Sequence, residues 1–219
     1  TTWTSRDADR NGRIATLVLD HPIVIADGHH RYETSLQYRD ERRIVDGPGT
    51  AADLTMCFVV ELVEDELTVQ PIHRLITGLP DGASLPVLLS EHFDVEPTDP
   101  FGPDAVARLV ELGGLGLVDD TGTFVLRPKD GAFDASVELD TVRLEQARAA
   151  LPAHDLSYQH GVANVVEAVA EGRAQAALLM RPATVAQIQA IAHGGERMPP
   201  KTTFFAPKPA TGIVFRSLE

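Results

Sequence analysis

Runs of apolar and polar residues along the chain predict an alternation of strands and helices. Two continuous apolar runs, at residues 23–26 and 54–62, are typical of strands buried on both faces. Residues 29–43 contain neither Gly nor Pro and follow the turn-forming pair Asp27-Gly28, so we expect a helix there. The pattern therefore predicts a strand that leads directly into the N-terminus of a long helix.

The rest of the chain continues this alternation. Valines at positions 162, 165, 166 and 169 have the i, i+3, i+4, i+7 spacing of an amphipathic helix. The other predicted elements are strands at 13–19, 67–70, 174–180 and 212–215, helices at 85–93, 103–112, 141–151 and 184–192, and a hairpin of strands 115–118 and 123–126. We expect an α/β or α+β fold, a mixed sheet with flanking helices. No linker interrupts the pattern, so residues 1–219 are predicted to form a single domain.

Composition and charge restrict the classes of function. With 43% apolar and 23% charged residues, the chain has the balance of a globular protein rather than a disordered one. A net charge of −13 repels polyanions, so we expect no nucleic-acid partner. No apolar run approaches the length needed to cross a bilayer, which argues against a membrane partner. Cys57 lies in an apolar run and is expected to be a small core residue, compatible with a reducing cytoplasm.

The densest chemistry follows the predicted strand at 23–26. Gly28 permits a tight turn, and His29, His30 and Arg31 come immediately after it. A helix N-terminus carries unpaired backbone N–H groups and a partial positive charge, to which these side chains add further donors. The sequence therefore predicts an anion site suited to phosphate, and a small-molecule anion or nucleotide as the ligand.

Two carboxylates accompany this predicted site. Asp27 ends the strand, where it could orient a histidine or hold Mg²⁺ through water, and Glu33 follows in the helix. Together with His30 they are the candidate catalytic residues, and Asp27 is the candidate metal ligand. Two other interpretations remain open: Asp27 only caps the helix while Arg31 and Glu33 lie on a solvated face, or the histidines bind a structural metal.

Two further cationic motifs are candidates for the same ligand. His73-Arg74 follows a short predicted strand, although Arg74 could instead form a surface salt bridge. Lys201 and Thr202 follow two prolines, and rigid loops that present Lys and hydroxyl groups are typical of phosphate binding. The alternative for this loop is a well-packed C-terminal extension. The common glycine-rich nucleotide loops and the Gly-x-Ser-x-Gly elbow are absent from the sequence.

Three motifs in order resemble a bacterial family, the domain of unknown function 1015. They are Ile25-Ala26-Asp27-Gly28-His29-His30-Arg31-Tyr32-Glu33-Thr34, then Pro71-Ile72-His73-Arg74, then Met198-Pro199-Pro200-Lys201-Thr202-Thr203-Phe204-Phe205. In that family the motifs lie in the C-terminal part of a longer protein. The resemblance implies that this chain corresponds to that part and has its own N-terminal part as a partner.

The turn from Asp27 to Arg31 is also similar to the Asp-Gly-His-His-Arg turn of the ParB and sulfiredoxin-like superfamily. Members of that superfamily bind nucleotide phosphates at this junction, and one branch phosphorylates free serine with an adenine nucleotide. The similarity implies a ParB/sulfiredoxin-like element around residues 13–45, with ATP or ADP and Mg²⁺ as cofactors and a cytoplasmic location. It would place His29, His30 and Arg31 on the phosphates and Asp27 near the metal or the acceptor hydroxyl.

The chain departs from the serine kinase branch in one respect. That branch has a catalytic glutamate upstream of the turn, and residues 1–26 contain no glutamate. A kinase therefore needs another base or the N-terminal part. The alternatives are a non-catalytic module that senses an anion or nucleotide, and a DNA partition factor, which the acidic charge opposes.

Overall fold

The computed structural model describes residues 3–64, 66–134, 138–195, 198–206, 208, 210 and 212–217. The chain divides into two compact units, one formed by Thr1–Val59 with Pro209–Glu219 and the other by Val60–Lys208. We refer to them as the first and the second unit. A single domain over residues 1–219 stays a prediction.

The first unit contains helix α1 (Ala8–Leu19), helix α2 (His29–Asp46) and a short 3-10 helix (Ala51–Asp53). The side chain of Asp7 caps α1 by accepting a hydrogen bond from the Arg10 N–H at 3.0 Å. The prediction of a strand at 13–19 is therefore wrong, because a helix satisfies its backbone groups locally whereas a strand needs a neighbour. Helix α2 confirms the helix predicted at 29–43.

The apolar runs predicted to be buried strands have a different structure. Residues 23–26 and 54–62 pair with no strand of the described chain. Their side chains are largely exposed, with Ile23 63% and Phe58 76% accessible, and Cys57 is exposed rather than buried in a core. The described residues 212–217 also contain no strand. Apolar sequence alone predicted these strands, but a strand also requires a neighbouring strand to pair with.

The second unit is built on a sheet of six described strands in the order β3-β5-β4-β7-β2-β6, with a separate β1–β8 pair. The strands are β1 (Thr68–Gln70), β2 (His73–Thr77), β3 (Phe93–Pro97), β4 (Leu115–Asp119), β5 (Gly122–Pro128), β6 (Asp155–Gln159), β7 (Ala176–Leu179) and β8 (Phe204–Ala206). The helices are α3 (Leu85–Leu89), α4 (Ala105–Leu112), α5 (Asp140–Arg148), α6 (Val162–Ala170) and α7 (Val185–His193). Every described strand pair is antiparallel.

The core of the second unit covers both faces of the sheet. Along β7, Ala176 and Leu178 belong to a cluster with Leu144 of α5, whereas Ala177 and Leu179 belong to another cluster, with residues of α4 and α6. This alternation follows from the two-residue period of a strand. Burying a leucine completely contributes roughly 2 kcal/mol, so these clusters account for much of the stability of the unit.

Most elements predicted for the second unit are confirmed. The hairpin corresponds to β4 and β5, the valine stripe to α6, and the other predicted helices and strands to α4, α5, α7, β1 and β7. The helix predicted at 85–93 ends early, because Phe93 is completely buried as the first residue of β3. Strands β2, β3, β6 and β8 were not predicted. The predicted α/β or α+β class with flanking helices is confirmed. The fold is the α+β alternative, because the described strands pair antiparallel and do not form the mixed sheet that was predicted.

None of the helices among the described residues combines the length and the hydropathy that crossing a membrane requires.

Candidate functional site

The N-terminus of α2 depends on Gly28. This residue is the N-cap and adopts a left-handed backbone with φ 84° and ψ 27°. A Cβ atom at position 28 would also lie 2.9 Å from the Nη2 atom of Arg31. Asp27 is therefore not the cap; its Oδ1 atom accepts a hydrogen bond from the Gly28 N–H at 2.7 Å. The glycine permits the turn that brings Asp27 beside the first turn of the helix.

The first turn of α2 presents its charged side chains to solvent. The side chain of His30 is fully exposed and that of Arg31 is 82% exposed. Arg31 Nη2 lies 3.9 Å from Asp27 Oδ2, and His30 Nδ1 lies 3.5 Å from Glu33 Oε2. Both contacts are long and exposed to solvent, so each contributes little free energy. A ligand could therefore replace them at a small cost in free energy. The structure thus brings the predicted catalytic residues and Arg31 together on one helix turn.

The chemistry available at this turn is anion binding. The first amides of an α-helix have no acceptor within the helix, and the helix dipole favours a negative charge there. Successive side chains on a helix point about 100° apart, so His29, His30 and Arg31 surround the helix terminus rather than converge on one atom. A single phosphate would contact the backbone amides and only some of these side chains.

The described residues offer no ready-made metal centre. No group of three or more His, Cys, Asp or Glu side chains among them comes together to hold an ion. Mg²⁺ is commonly bound by one or two carboxylates together with substrate phosphates. Asp27 fits such a role only in combination with a phosphate ligand, and its function as a metal ligand stays a prediction.

The second cationic motif lies inside the second unit. The side chain of His73 is only 1% exposed, and its Nδ1 atom accepts a hydrogen bond from the Met180 N–H at 3.1 Å. Burial lowers the pKa of His73 to about 4, and the positive charges of Arg74 and His160 act in the same direction. At neutral pH the imidazole is therefore neutral, with its proton on Nε2 because Nδ1 is an acceptor.

Arg74 is also buried rather than on the surface, so the interpretation as a surface salt bridge is wrong. It donates from Nη1 to the carbonyl oxygen of Ile72 and from Nη2 to that of Lys201 at 3.0 Å. Its guanidinium lies 5.4 Å from the centre of the Tyr158 ring. Burial lowers the pKa of Arg74, and its Nε atom has no partner within the part of the chain that the structure describes.

The contact with Arg74 joins two sequence motifs that are far apart in the chain. Lys201 has a φ of 59°, the left-handed region that non-glycine residues seldom adopt. Thr202 is buried, and its hydroxyl donates to the carbonyl oxygen of Pro199 at 2.7 Å. Arg74 thereby holds the backbone of the loop that carries Lys201 and Thr202. A strained backbone held by a buried side chain is typical of functional loops.

The predicted site residues therefore form two groups. Asp27, Gly28, His29, His30, Arg31 and Glu33 lie in the first unit, and His73, Arg74, Lys201 and Thr202 lie in the second. The first group shares the turn that begins α2, and in the second group Arg74 contacts the backbone of Lys201. The catalytic and binding roles stay predictions. Sequence reasoning missed Tyr158 and Met180, because only the pairing of β2 with β6 and β7 places them beside Arg74 and His73.

An antiparallel sheet covered by helices defines the second unit, and the first unit presents a solvent-exposed cationic helix N-terminus. The chain is thus an α+β protein. The chain belongs to the family described as Protein of unknown function (DUF1015), whose model matches residues 1–173. This match confirms the resemblance found from the sequence motifs. The motif at 198–205 lies outside the matched residues.

Solved structures with a similar fold include a mutant free serine kinase in complex with AMP, with a TM-score of 0.50 and 16% identity, covering 83% of this chain and 67% of that one. Another structure of a free serine kinase with AMP has a TM-score of 0.48, 17% identity and coverage of 83% and 66%. A conserved hypothetical protein from Pyrococcus furiosus has a TM-score of 0.47, 14% identity and coverage of 83% and 69%. The first of these likenesses concerns the fold alone and agrees with the predicted fold class. The chain spans about two thirds of the length of these structures, and no curated protein matches it.

Proposed function

We propose that this chain binds the phosphates of an adenine nucleotide at the N-terminus of α2 and forms part of a small-molecule kinase. The acceptor in this proposal is serine or a related hydroxy acid, and the reaction takes place in the cytoplasm. The observation that carries the proposal is the first turn of α2, where exposed His29, His30 and Arg31 follow the left-handed Gly28. A free serine kinase that is similar in fold to this chain is in complex with AMP, which is consistent with the proposal.

Electrostatics explains how this turn would hold a phosphate. The Arg31 guanidinium lies 3.9 Å from Asp27, so its remaining N–H groups are available to donate to phosphate oxygens. The amides of the first helical turn add donors with a fixed direction. Phosphoryl transfer requires charge neutralisation and positioning more than covalent chemistry, which suits such a site. Mg²⁺ held between Asp27 and the phosphates would supply further neutralisation.

The transfer step moves one phosphoryl group and one proton. The acceptor hydroxyl oxygen attacks the terminal phosphorus of the nucleotide, a P–O bond forms, and the P–O bond to the leaving nucleotide breaks. ATP thereby yields ADP, or ADP yields AMP, together with the phosphorylated acceptor. The hydroxyl proton passes to a carboxylate, for which Asp27 and Glu33 are the candidates. Glu33 Oε2 lies 3.5 Å from His30 Nδ1, in the same helix turn.

Replacing Arg31 with Ala in the full chain tests the nucleotide site. Titration calorimetry with ATP, ADP and CTP should show at least about tenfold weaker binding of the preferred nucleotide, because a charge-assisted pair of hydrogen bonds is lost. His30→Ala should weaken binding as well. Arg42→Ala is the matched control: Arg42 lies on the same helix and pairs with Asp46, four residues away, as Arg31 pairs with Asp27. Unchanged affinity in Arg31→Ala would contradict the proposal.

A second measurement separates the kinase from the binding module. Phosphorylation of L-serine by the full chain with ATP or ADP should be detectable and should be lost in Arg31→Ala. If the nucleotide binds but neither serine nor related hydroxy acids are phosphorylated, the chain acts as a non-catalytic nucleotide-sensing module. Anion binding needs only the cationic side chains and amides at this helix terminus, so such a module requires no general base.

A further inference from the structure

A pocket of about 120 Å³ lies in the second unit, beside the carboxyl end of β7. Its polar lining includes Glu138, Asp140, Thr141, Arg181, Thr184 and Thr202. A water molecule occupies roughly 30 Å³ of liquid, so the pocket has room for about four waters or for one ligand of the size of a small amino acid. None of these residues except Thr202 was predicted to have a function.

A buried ion pair forms the charged wall of this pocket. Arg181 donates from Nε and Nη2 to the two carboxylate oxygens of Asp140, each at 2.6 Å. Asp140 is 92% buried, and its carboxylate raises the pKa of Arg181. This geometry uses one edge of the guanidinium, and Nη1 has no partner among the described residues. Asp140 therefore fixes the orientation of a cation whose other edge can bind a ligand.

Hydroxyl groups form the other polar part of the lining. Thr141 is 95% buried and lines the pocket. Thr202 uses its hydroxyl hydrogen on Pro199, which leaves the oxygen able to accept a hydrogen bond from a ligand.

The charges of the lining select the type of ligand. The Arg181 Nη1 edge attracts a carboxylate, whereas Glu138 repels a dianion such as phosphate and attracts an ammonium group. The Asp140 carboxylate is already paired with Arg181 and lies 3.9 Å from Arg143. A ligand with both charges matches this wall better than a simple anion. The size of the pocket limits such a zwitterion to a small amino acid, and the threonine hydroxyls suit one whose side chain is polar.

We infer that this pocket binds a small hydroxy amino acid, with its carboxylate on Arg181 and its ammonium group facing Glu138. The binding of the amino acid stands on the pocket itself. Its identification as the acceptor of the phosphoryl group rests on the proposed kinase function.

Titration of the full chain with L-serine in the absence of nucleotide tests this inference. We expect saturable binding of L-serine and at least about tenfold weaker binding of serinol, which has a second hydroxymethyl group instead of the carboxylate. Arg181→Gln should weaken serine binding by at least the same factor. Arg173→Gln is the matched control, because Arg173 forms only exposed pairs with Glu167 and Glu171. It should leave serine binding unchanged.

A second variant keeps the inference testable if Arg181→Gln does not fold. Thr141→Val retains the size of the side chain and removes only the hydroxyl, and we expect it to weaken serine binding about threefold to tenfold. Absence of serine binding to the unaltered chain would overturn the inference, as would equal affinity in a folded Arg181→Gln. Serine binding without any nucleotide binding would support the pocket and refute the kinase. Nucleotide binding without serine binding would overturn the inference about the pocket and leave the proposed nucleotide site intact.

Discussion

Two adjacent residues, His73 and Arg74, place a neutral base and a positive charge side by side in the interior of the second unit. An isolated buried charge is costly unless hydrogen bonds and nearby π-electrons compensate it. Arg74 obtains this compensation from the carbonyl groups of Ile72 and Lys201 and from the Tyr158 ring. No described carboxylate forms an ion pair with it. The presence of this cation explains in part why His73 resists protonation.

The stability of the protein should therefore depend on pH through His73. The folded state binds a proton on this residue only near pH 4, whereas the unfolded chain does so near pH 6.5. The contribution of the neutral imidazole to the free energy of unfolding is fully present above about pH 6.5. It decreases as the pH falls from 6.5 towards 4, because in this range the unfolded state binds more protons than the folded state. The loss is at most about 3 kcal/mol.

Urea unfolding at several pH values checks this expectation. In His73→Gln the decrease in unfolding free energy between pH 6.5 and 4 should be smaller than in the unaltered chain. His21→Gln serves as a control, because His21 is exposed in the first unit. Identical pH dependence in His73→Gln and the unaltered chain would show that His73 is not held neutral.

At the level of elements, α2 shows how one glycine defines a helix terminus. Gly28 adopts a backbone that other residues reach only with strain, and it leaves space for the Arg31 side chain. Gly12 offers a direct contrast, since it lies within α1 and a Cβ atom added there would meet no other atom within 4 Å. The two glycines should respond oppositely to the same substitution.

We expect Gly28→Ala to destabilise the protein by about 1 to 2 kcal/mol and Gly12→Ala to stabilise it by about 0.5 to 1 kcal/mol. The first substitution forces a left-handed backbone on alanine and displaces Arg31, whereas the second reduces the entropy of the unfolded chain. Chemical denaturation of both variants measures the difference. If the denaturation signal follows only the second unit, the helix content measured by circular dichroism shows the effect of each substitution on the first unit. Equal effects of the two substitutions would contradict the assigned role of Gly28.

At the scale of the whole molecule, the two units differ in how they bury apolar side chains. The second unit has clusters on both faces of its sheet and a further one around Leu139, Ala183 and Ile188. In the first unit, Ala52 is the one buried apolar residue among those described. Apolar burial is the main favourable contribution to folding, so the second unit should be the more stable one.

Hydrogen exchange should reveal this difference in the backbone. Amides of residues 55–59 have no described backbone hydrogen bonds and should exchange rapidly, whereas those of β7 should exchange slowly. The two segments are matched in being apolar, so composition alone cannot account for a difference. Mass spectrometry of short peptic peptides from the full chain resolves them. Equal protection of the two segments would contradict this expectation.

The sequence by itself determined the features that depend on neighbouring residues. The helix at 29–46, the turn at Asp27-Gly28 and the cationic side chains that follow are local, because helical hydrogen bonds and capping act within a few residues. The β4–β5 hairpin is local for the same reason, since a tight turn sets its register. The ordered motifs were enough to identify the family that the match over residues 1–173 confirms.

The tertiary structure alone decided what depends on distant partners. Apolar sequence could not show whether residues 23–26 and 54–62 find a strand to pair with, and in the described chain they do not. The contact between Arg74 and Lys201 joins positions 127 residues apart, and that between Asp140 and Arg181 joins positions 41 apart. Long-range contacts arise from strand register and from the packing of helices on the sheet, neither of which a local pattern encodes.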